Sequence, residues 1–113
     1  MKRTIAITGN TGPKVRSDCE VILELKDTGG VCIELVSKVK ALYGESITKL
    51  TREILAFYGI ENGLVSINDS GALPFVIAAR LESVVKKLID TDLNFLPEFN
   101  QKNKYLDRTI YVK

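Results

Sequence analysis

Residues 12–21 read GPKVRSDCEV, with a hydroxyl, a carboxylate and a thiol in a row: Ser17, Asp18 and Cys19. Such a trio suits a nucleophile, a point of covalent attachment, or a loop entering a strand in which Asp18 bonds nearby amides. The chain has no histidine among its 113 residues. Ser-His and Cys-His activation and imidazole metal ligation are therefore closed to it. Its two cysteines, Cys19 and Cys32, form no CxxC pair, so no metal site is expected. The glycines of TGNTGPK, residues 8–14, are too close together for a P-loop, and Val15 follows the lysine. Glu45, Glu53, Glu61 and Asp69 are read on solvent-facing helix positions or in loops, with no spacing that pairs two carboxylates in a pocket. Asp69-Ser70-Gly71 reads as a turn. Catalytic groups are scarce, and the attachment and loop readings of residues 17–19 both stand.

Hydrophobic residues at 45% and charged residues at 27% suit a single soluble domain. A net charge of +2, with no basic run interleaved with aromatics, argues against nucleic acid. No apolar run approaches the ~18 residues of a membrane span. The opening MKRTIAITGN lacks the apolar stretch of a signal peptide. These features predict a cytoplasmic protein with no membrane partner.

The elements that must position residues 17–19 follow from periodicity. TIAIT, residues 4–8, is a short strand, and residues 9–18 are a loop. CEVILELK alternates with one break: Val21, Leu23 and Leu25 face one way, Glu20, Glu24 and Lys26 the other, and Ile22 interrupts. DTGG, residues 27–30, reads as a turn into VCIELV, so the two strands are expected to pair as a hairpin. Parity places Cys19 on the face of Val21 and Cys32 on that of Glu34, which predicts two free thiols. Ser37 then caps a helix over 37–58, whose stripe is Val39, Leu42, Tyr43, Ile47, Leu50, Ile54, Phe57 and Tyr58. Gly44 weakens that helix and Gly59 ends it. LVSIN, residues 64–68, is a strand. ALPFVIAA, residues 72–79, reads as a buried strand with Pro74 at its start or on an edge. RLESVVKKLID, residues 80–90, is a second helix, and DRTIYVK alone looks strand-like beyond it. The sum is an α+β two-layer sandwich, a mostly antiparallel sheet with two helices on one face. The domain spans 1–90, with a C-terminal extension over 91–113.

Residues 9–82 resemble the acyl carrier (gamma) subunit of citrate lyase and, more distantly, the malonate decarboxylase carrier subunit. The resemblance rests on Arg16-Ser17-Asp18 at the end of the loop and on Ser37-Lys38-Val39 with Tyr43-Gly44-Glu45-Ser46-Ile47 at the helix opening. It continues in Gly71-Ala72-Leu73 through Ile77, Ala79-Arg80 and Glu82. It implies a non-catalytic carrier that holds 2'-(5''-phosphoribosyl)-3'-dephospho-coenzyme A, joined by a phosphodiester to a loop serine. The implied partners are citrate lyase alpha (acyl transferase) and beta (lyase) subunits and a prosthetic-group transferase. The family's modified serine stands two places before the Asp, and here that place holds Arg16. Ser17 is then the implied attachment residue, with Arg16 and Asp18 supporting it. The alternative is an unmodified carrier-like domain docked on, or fused to, an aldolase/lyase barrel. Residues 107–113 look a little like the opening strand of citrate lyase beta subunits, which suggests a fused relative.

Overall fold

The computed structural model describes residues 4–37 and 40–95, and for residues 40–43 the backbone alone. The order is β1 (Ile5–Gly9), β2 (Asp18–Leu25), β3 (Val31–Ser37), α1 (Lys40–Phe57), β4 (Gly63–Ser70) and α2 (Pro74–Leu88). It forms one four-stranded sheet among the described residues, in the order β1-β2-β4-β3. β1 with β2 and β2 with β4 are antiparallel, and β3 with β4 is parallel. The expected α+β class holds, with an antiparallel majority and both helices on one face.

The core follows from the alternation of β2. Cys19, Val21 and Leu23 are fully buried; Val21 pairs with Ile67 and Leu23 with Val65 of β4, and Cys19 with Asp69. Across that layer α1 contributes Ile47, Leu50, Ile54 and Leu55, and α2 contributes Ile77, Ala78, Leu81, Val84 and Val85. Gly59 takes φ +75°, its N–H bonds Ala56 O at 3.0 Å, and the Ile60 N–H bonds Leu55 O at 2.9 Å. That is the left-handed helix ending expected of this glycine. The side chains of Val39, Leu42 and Tyr43 and the cap expected of Ser37 fall at least partly outside the described residues.

Three local expectations fail. β2 and β3 form no hairpin, because β4 lies between them. Residues 26–30 instead pass the end of β4, where Gly63 N–H donates to Gly30 O and Gly30 N–H to Asn62 Oδ1. β3, α1 and β4 thus make a crossover unit, in which a helix carries the chain back to a parallel strand. Residues 72–79 are not a strand, since α2 begins at Pro74. Proline at the first helical position loses an N–H that had no helical partner, and the apolar positions beyond it recur at helical spacing. Asp69 is neither solvent-facing nor in a loop: it is 2% exposed at the end of β4.

Phe95 closes the end of the core. Its ring meets Phe57 edge-on at 5.3 Å, and its N–H donates to Glu82 Oε2 at 2.7 Å. The strand-like reading of residues 107–113 lies outside the described residues. Among the described residues no helix is long and apolar enough to cross a membrane.

Candidate functional site

The loop over residues 10–17 leaves β1 and enters β2 at the end of the sheet where β3 and β4 also finish. Its two ends are fixed by backbone. Gly9 sits at φ +91°, and a Cβ there would lie 1.9 Å from the Cys19 carbonyl oxygen, so only glycine fits. Asn10 N–H donates to that same carbonyl at 3.1 Å. At the far end Ser17 N–H donates to Ser70 O at 2.9 Å.

Ser17 is exposed and has φ +58°, the sole non-glycine residue with positive φ among those described. A left-handed residue without a glycine's freedom persists only where its surroundings hold it. Asp18 supplies the hold. Its Oδ1 accepts from Cys19 N–H at 2.7 Å and from Arg80 Nε at 3.0 Å; its Oδ2 accepts from Asn10 Nδ2 at 2.9 Å and Arg80 Nη2 at 2.8 Å. The guanidinium grips the carboxylate with two parallel bonds, the strong form of this pair. The Arg80 bonds, helped by those from Asn10 and the Cys19 amide, draw the Asp18 pKa from 3.8 down to about 2 against the opposing effect of burial.

Cys19 is fully buried, and burial, with the charges of Asp18 and Asp69, pushes its thiol up to about 12. It is a core side chain, as its parity predicted, and Cys32 is exposed; both thiols are free. Arg16 is exposed and folds back toward its own loop, with Nη1 3.3 Å from Pro13 O. On the other side of Ser70, Asp69 accepts from Ser37 Oγ and Ala72 N–H, both at 2.8 Å. These bonds tie the ends of β3 and β4 to the start of α2.

The structure thus brings Arg16, Ser17 and Asp18 to the point where the loop enters β2 but aims Arg16 at its own backbone. Sequence reasoning missed two residues, Asn10 and Arg80. Arg80 lies 62 positions from Asp18. Its signal was present in the Ala79-Arg80…Glu82 motif, which carried the resemblance without a role for the arginine. Glu82 of that motif acts elsewhere, accepting from Tyr58 Oη at 2.7 Å and from the Phe95 amide. Burial and this carboxylate raise the Tyr58 hydroxyl to about 12.

Fold and site together define a two-layer α+β module whose distinctive feature is an exposed loop serine on a braced hinge. Residues 6–88 match the malonate decarboxylase delta subunit family of acyl carrier proteins, and the chain belongs to that family. It is 38% identical over 87 residues to the citrate lyase acyl carrier protein of Lactobacillus helveticus, covering 77% of this chain and 89% of that protein. It is 40% identical over 80 residues to that of Lactococcus lactis subsp. lactis, covering 70% and 82%. A chain in the crystal structure of a Pseudomonas malonate decarboxylase hetero-tetramer in complex with malonate superposes with a TM-score of 0.62. It is 28% identical and the match covers 77% of this chain and 86% of that one. The family read from the loop, helix opening and Gly71–Glu82 motifs is therefore the right one, and its members carry acyl groups rather than catalyse.

Proposed function

We propose that this chain is the acyl carrier of a citrate-lyase-like complex and that Ser17 holds its covalent arm, phosphoribosyl-dephospho-coenzyme A. One observation carries the reading: Ser17 is an exposed hydroxyl held in a left-handed backbone conformation by the Asp18–Arg80 brace beside it. The residues present fit such a group. The carboxylate next to Ser17 is already paired with a guanidinium, which reduces its repulsion of an incoming phosphate. Arg16 and Lys14, both exposed on the same loop, add positive charge there.

The chain's own part in attachment is to present the hydroxyl. A phosphodiester forms when Ser17 Oγ displaces the leaving group of an activated phosphate. Asp18 is unsuited to take the serine proton, since its pKa is about 2 and both its oxygens already accept hydrogen bonds. The base must come from the transferase, as expected of a chain without histidine. Once attached, the arm supplies a terminal thiol that holds the acyl group as a thioester. The protein supplies a compact body from which that thiol reaches the alpha and beta subunits in turn.

The unmodified docking domain is the second reading, favoured by Arg16 in the place of the family's usual serine. Coexpression with the transferase of a citrate lyase system separates the two. Peptide mass spectrometry is expected to find the adduct on Ser17 in wild type and none in Ser17→Ala. An adduct that persists in Ser17→Ala points to Thr11, the other exposed hydroxyl of the loop. No adduct, with a known carrier labelled in the same cells, favours the docking domain.

A further inference from the structure

A cleft of about 380 Å³ lies beside the attachment loop, between Thr11 and Pro13 of the loop, Val36 and Ser37 at the end of β3, and Asn68 and Asp69 near the end of β4. Its size falls within the ~300–1,000 Å³ usual for small-molecule sites. Ser17 stands against it: its N–H donates at 2.9 Å to the carbonyl of Ser70, which belongs to the same wall. Part of that wall is fixed, because the Asp69 carboxylate, 2% exposed, accepts from Ser37 Oγ at 2.8 Å. No lysine or arginine lines the cleft among the described residues. It therefore suits a neutral group, since an anion there would face Asp69 without a cation to offset it.

The polar group the cleft offers is Asn68. It stands in β4, an inner strand of the sheet, where asparagine is disfavoured. The other three asparagines of the described residues are all bonded through their side chains: Asn10 to Asp18, Asn62 to the Gly30 N–H, and Asn94 to Lys86. The Asn68 side chain makes no such bond among the described residues. Val36, its partner in register, is 65% exposed, and Pro13 is exposed across the cleft. An amide with its donor and acceptor unused, flanked by two apolar surfaces, matches a flat heterocycle with the complementary pair on one edge. Adenine is such a base, because asparagine bonds its N6 amino group and N7 together.

We infer that the cleft seats the adenosine of the arm, with Asn68 bonding the base edge and Val36 and Pro13 packing on its faces. The arm proposed for Ser17 brings that group close: its phosphodiester is followed by one ribose and then the adenosine, and the thiol is at the far end. The phosphate then lies outside the cleft, on the loop that carries Lys14 and Arg16. Only the part of the arm beyond the adenosine is left to swing between active sites. A weak site suffices, because a short flexible link gives an effective concentration of about millimolar. The choice of occupant rests on the carrier reading proposed above; the cleft and the unused amide do not.

NMR of the isotope-labelled chain tests the site, with fold monitored by circular dichroism. Adenosine added to the unmodified chain is expected to shift the amide resonances of Thr11, Val36 and Asn68, with a Kd of roughly 1–10 mM. Inosine, which lacks the N6 amino group, is expected to shift them less. Asn68→Ala is expected to weaken adenosine binding about three- to tenfold, as for one lost hydrogen-bonding group, and Val36→Ser to weaken it as well. Cys32→Ser, toward the other end of β3, is expected to leave it unchanged. In the coexpressed chain with the arm on Ser17, the same three resonances are expected to differ from those of the unmodified chain. The inference is overturned if adenosine leaves them in place, if Asn68→Ala and Val36→Ser bind it as wild type does, or if the arm attaches to Ser17 without moving them. Mass analysis of Ser17 reads the carrier function separately: a chain that takes no arm yet binds adenosine through Asn68 supports the adenine site and rejects the carrier reading alone.

Discussion

Asp18 joins three parts of the chain that are distant in sequence: Asn10 in the loop, the start of β2, and Arg80 of α2. Its depressed pKa makes it a source of stability with a defined pH window. A carboxylate held at about 2 rather than 3.8 contributes fully above the unfolded value and loses that contribution as pH falls toward 2. Arg80 is a third exposed, so screening reduces the effect to roughly 1–2 kcal/mol. Asp18→Asn is expected to lower stability by about that amount at neutral pH and to remove this part of the acid sensitivity. Urea unfolding at a series of pH values checks it; parallel curves for the two proteins would reject the brace. The thiols give a second test. Cys32 is expected to react promptly with a thiol reagent in the native protein, and Cys19 only as fast as the fold opens. Prompt labelling of both would mean that the loop end of β2 is not sealed. Cys19 was legible in the sequence because period-two alternation fixes a side chain's face. Arg80 was visible as part of a motif, but its bond to Asp18 was not, because no local pattern records a contact across 62 residues.

At the scale of elements, what each segment buries was easier to read than what it pairs with. The stripe of α1 is visible in the sequence, and Ile47, Leu50 and Ile54 all reach the core. Leu50→Ala is expected to cost roughly 2–4 kcal/mol in chemical denaturation, and a loss below about 0.5 would place Leu50 at the surface. The β2–β3 hairpin was misread because DTGG has the residues of a turn whichever strand follows it. Only the long-range fit of β4, with Val65 and Ile67 completing the buried row, decides the order β2-β4-β3. The reading of 72–79 as a strand failed for a different reason. A short apolar run carries no periodicity to separate strand from helix, and Pro74 was assigned to a strand edge when it fits the first turn of α2. Gly9 tests the loop's inner end. Gly9→Ala is expected to destabilise by more than the ~1 kcal/mol of an ordinary glycine change, because its Cβ would meet backbone rather than a side chain that can move. An unchanged midpoint would show that β1 and β2 can part there.

For the molecule as a whole, the question is whether residues 91–95 belong to the folded body. A carrier needs a rigid body of modest size, and the apolar pattern alone sets its limit near Asp90. The geometry favours a limit at least as far as Phe95. Its ring is 7% exposed and rests on Phe57, while its amide reaches the Glu82 carboxylate that also holds Tyr58. Burying a phenylalanine contributes about 1.5–3 kcal/mol. A hydrogen bond to a charged group adds to this, and ordering residues 91–95 subtracts from it. A chain of residues 1–95 is therefore expected to be more stable than one of residues 1–90 by roughly 1–3 kcal/mol. Phe95→Ala in the full chain is expected to move stability in the same direction. Denaturation midpoints of the three proteins decide it. If 1–90 matches 1–95 and Phe95→Ala matches wild type, the body ends at 90. If both fall together, residues 91–95 belong to the domain, and Glu82 has a structural role: its carboxylate accepts from both the Phe95 amide and the Tyr58 hydroxyl, fastening residues 91–95 to the C-terminal end of α1.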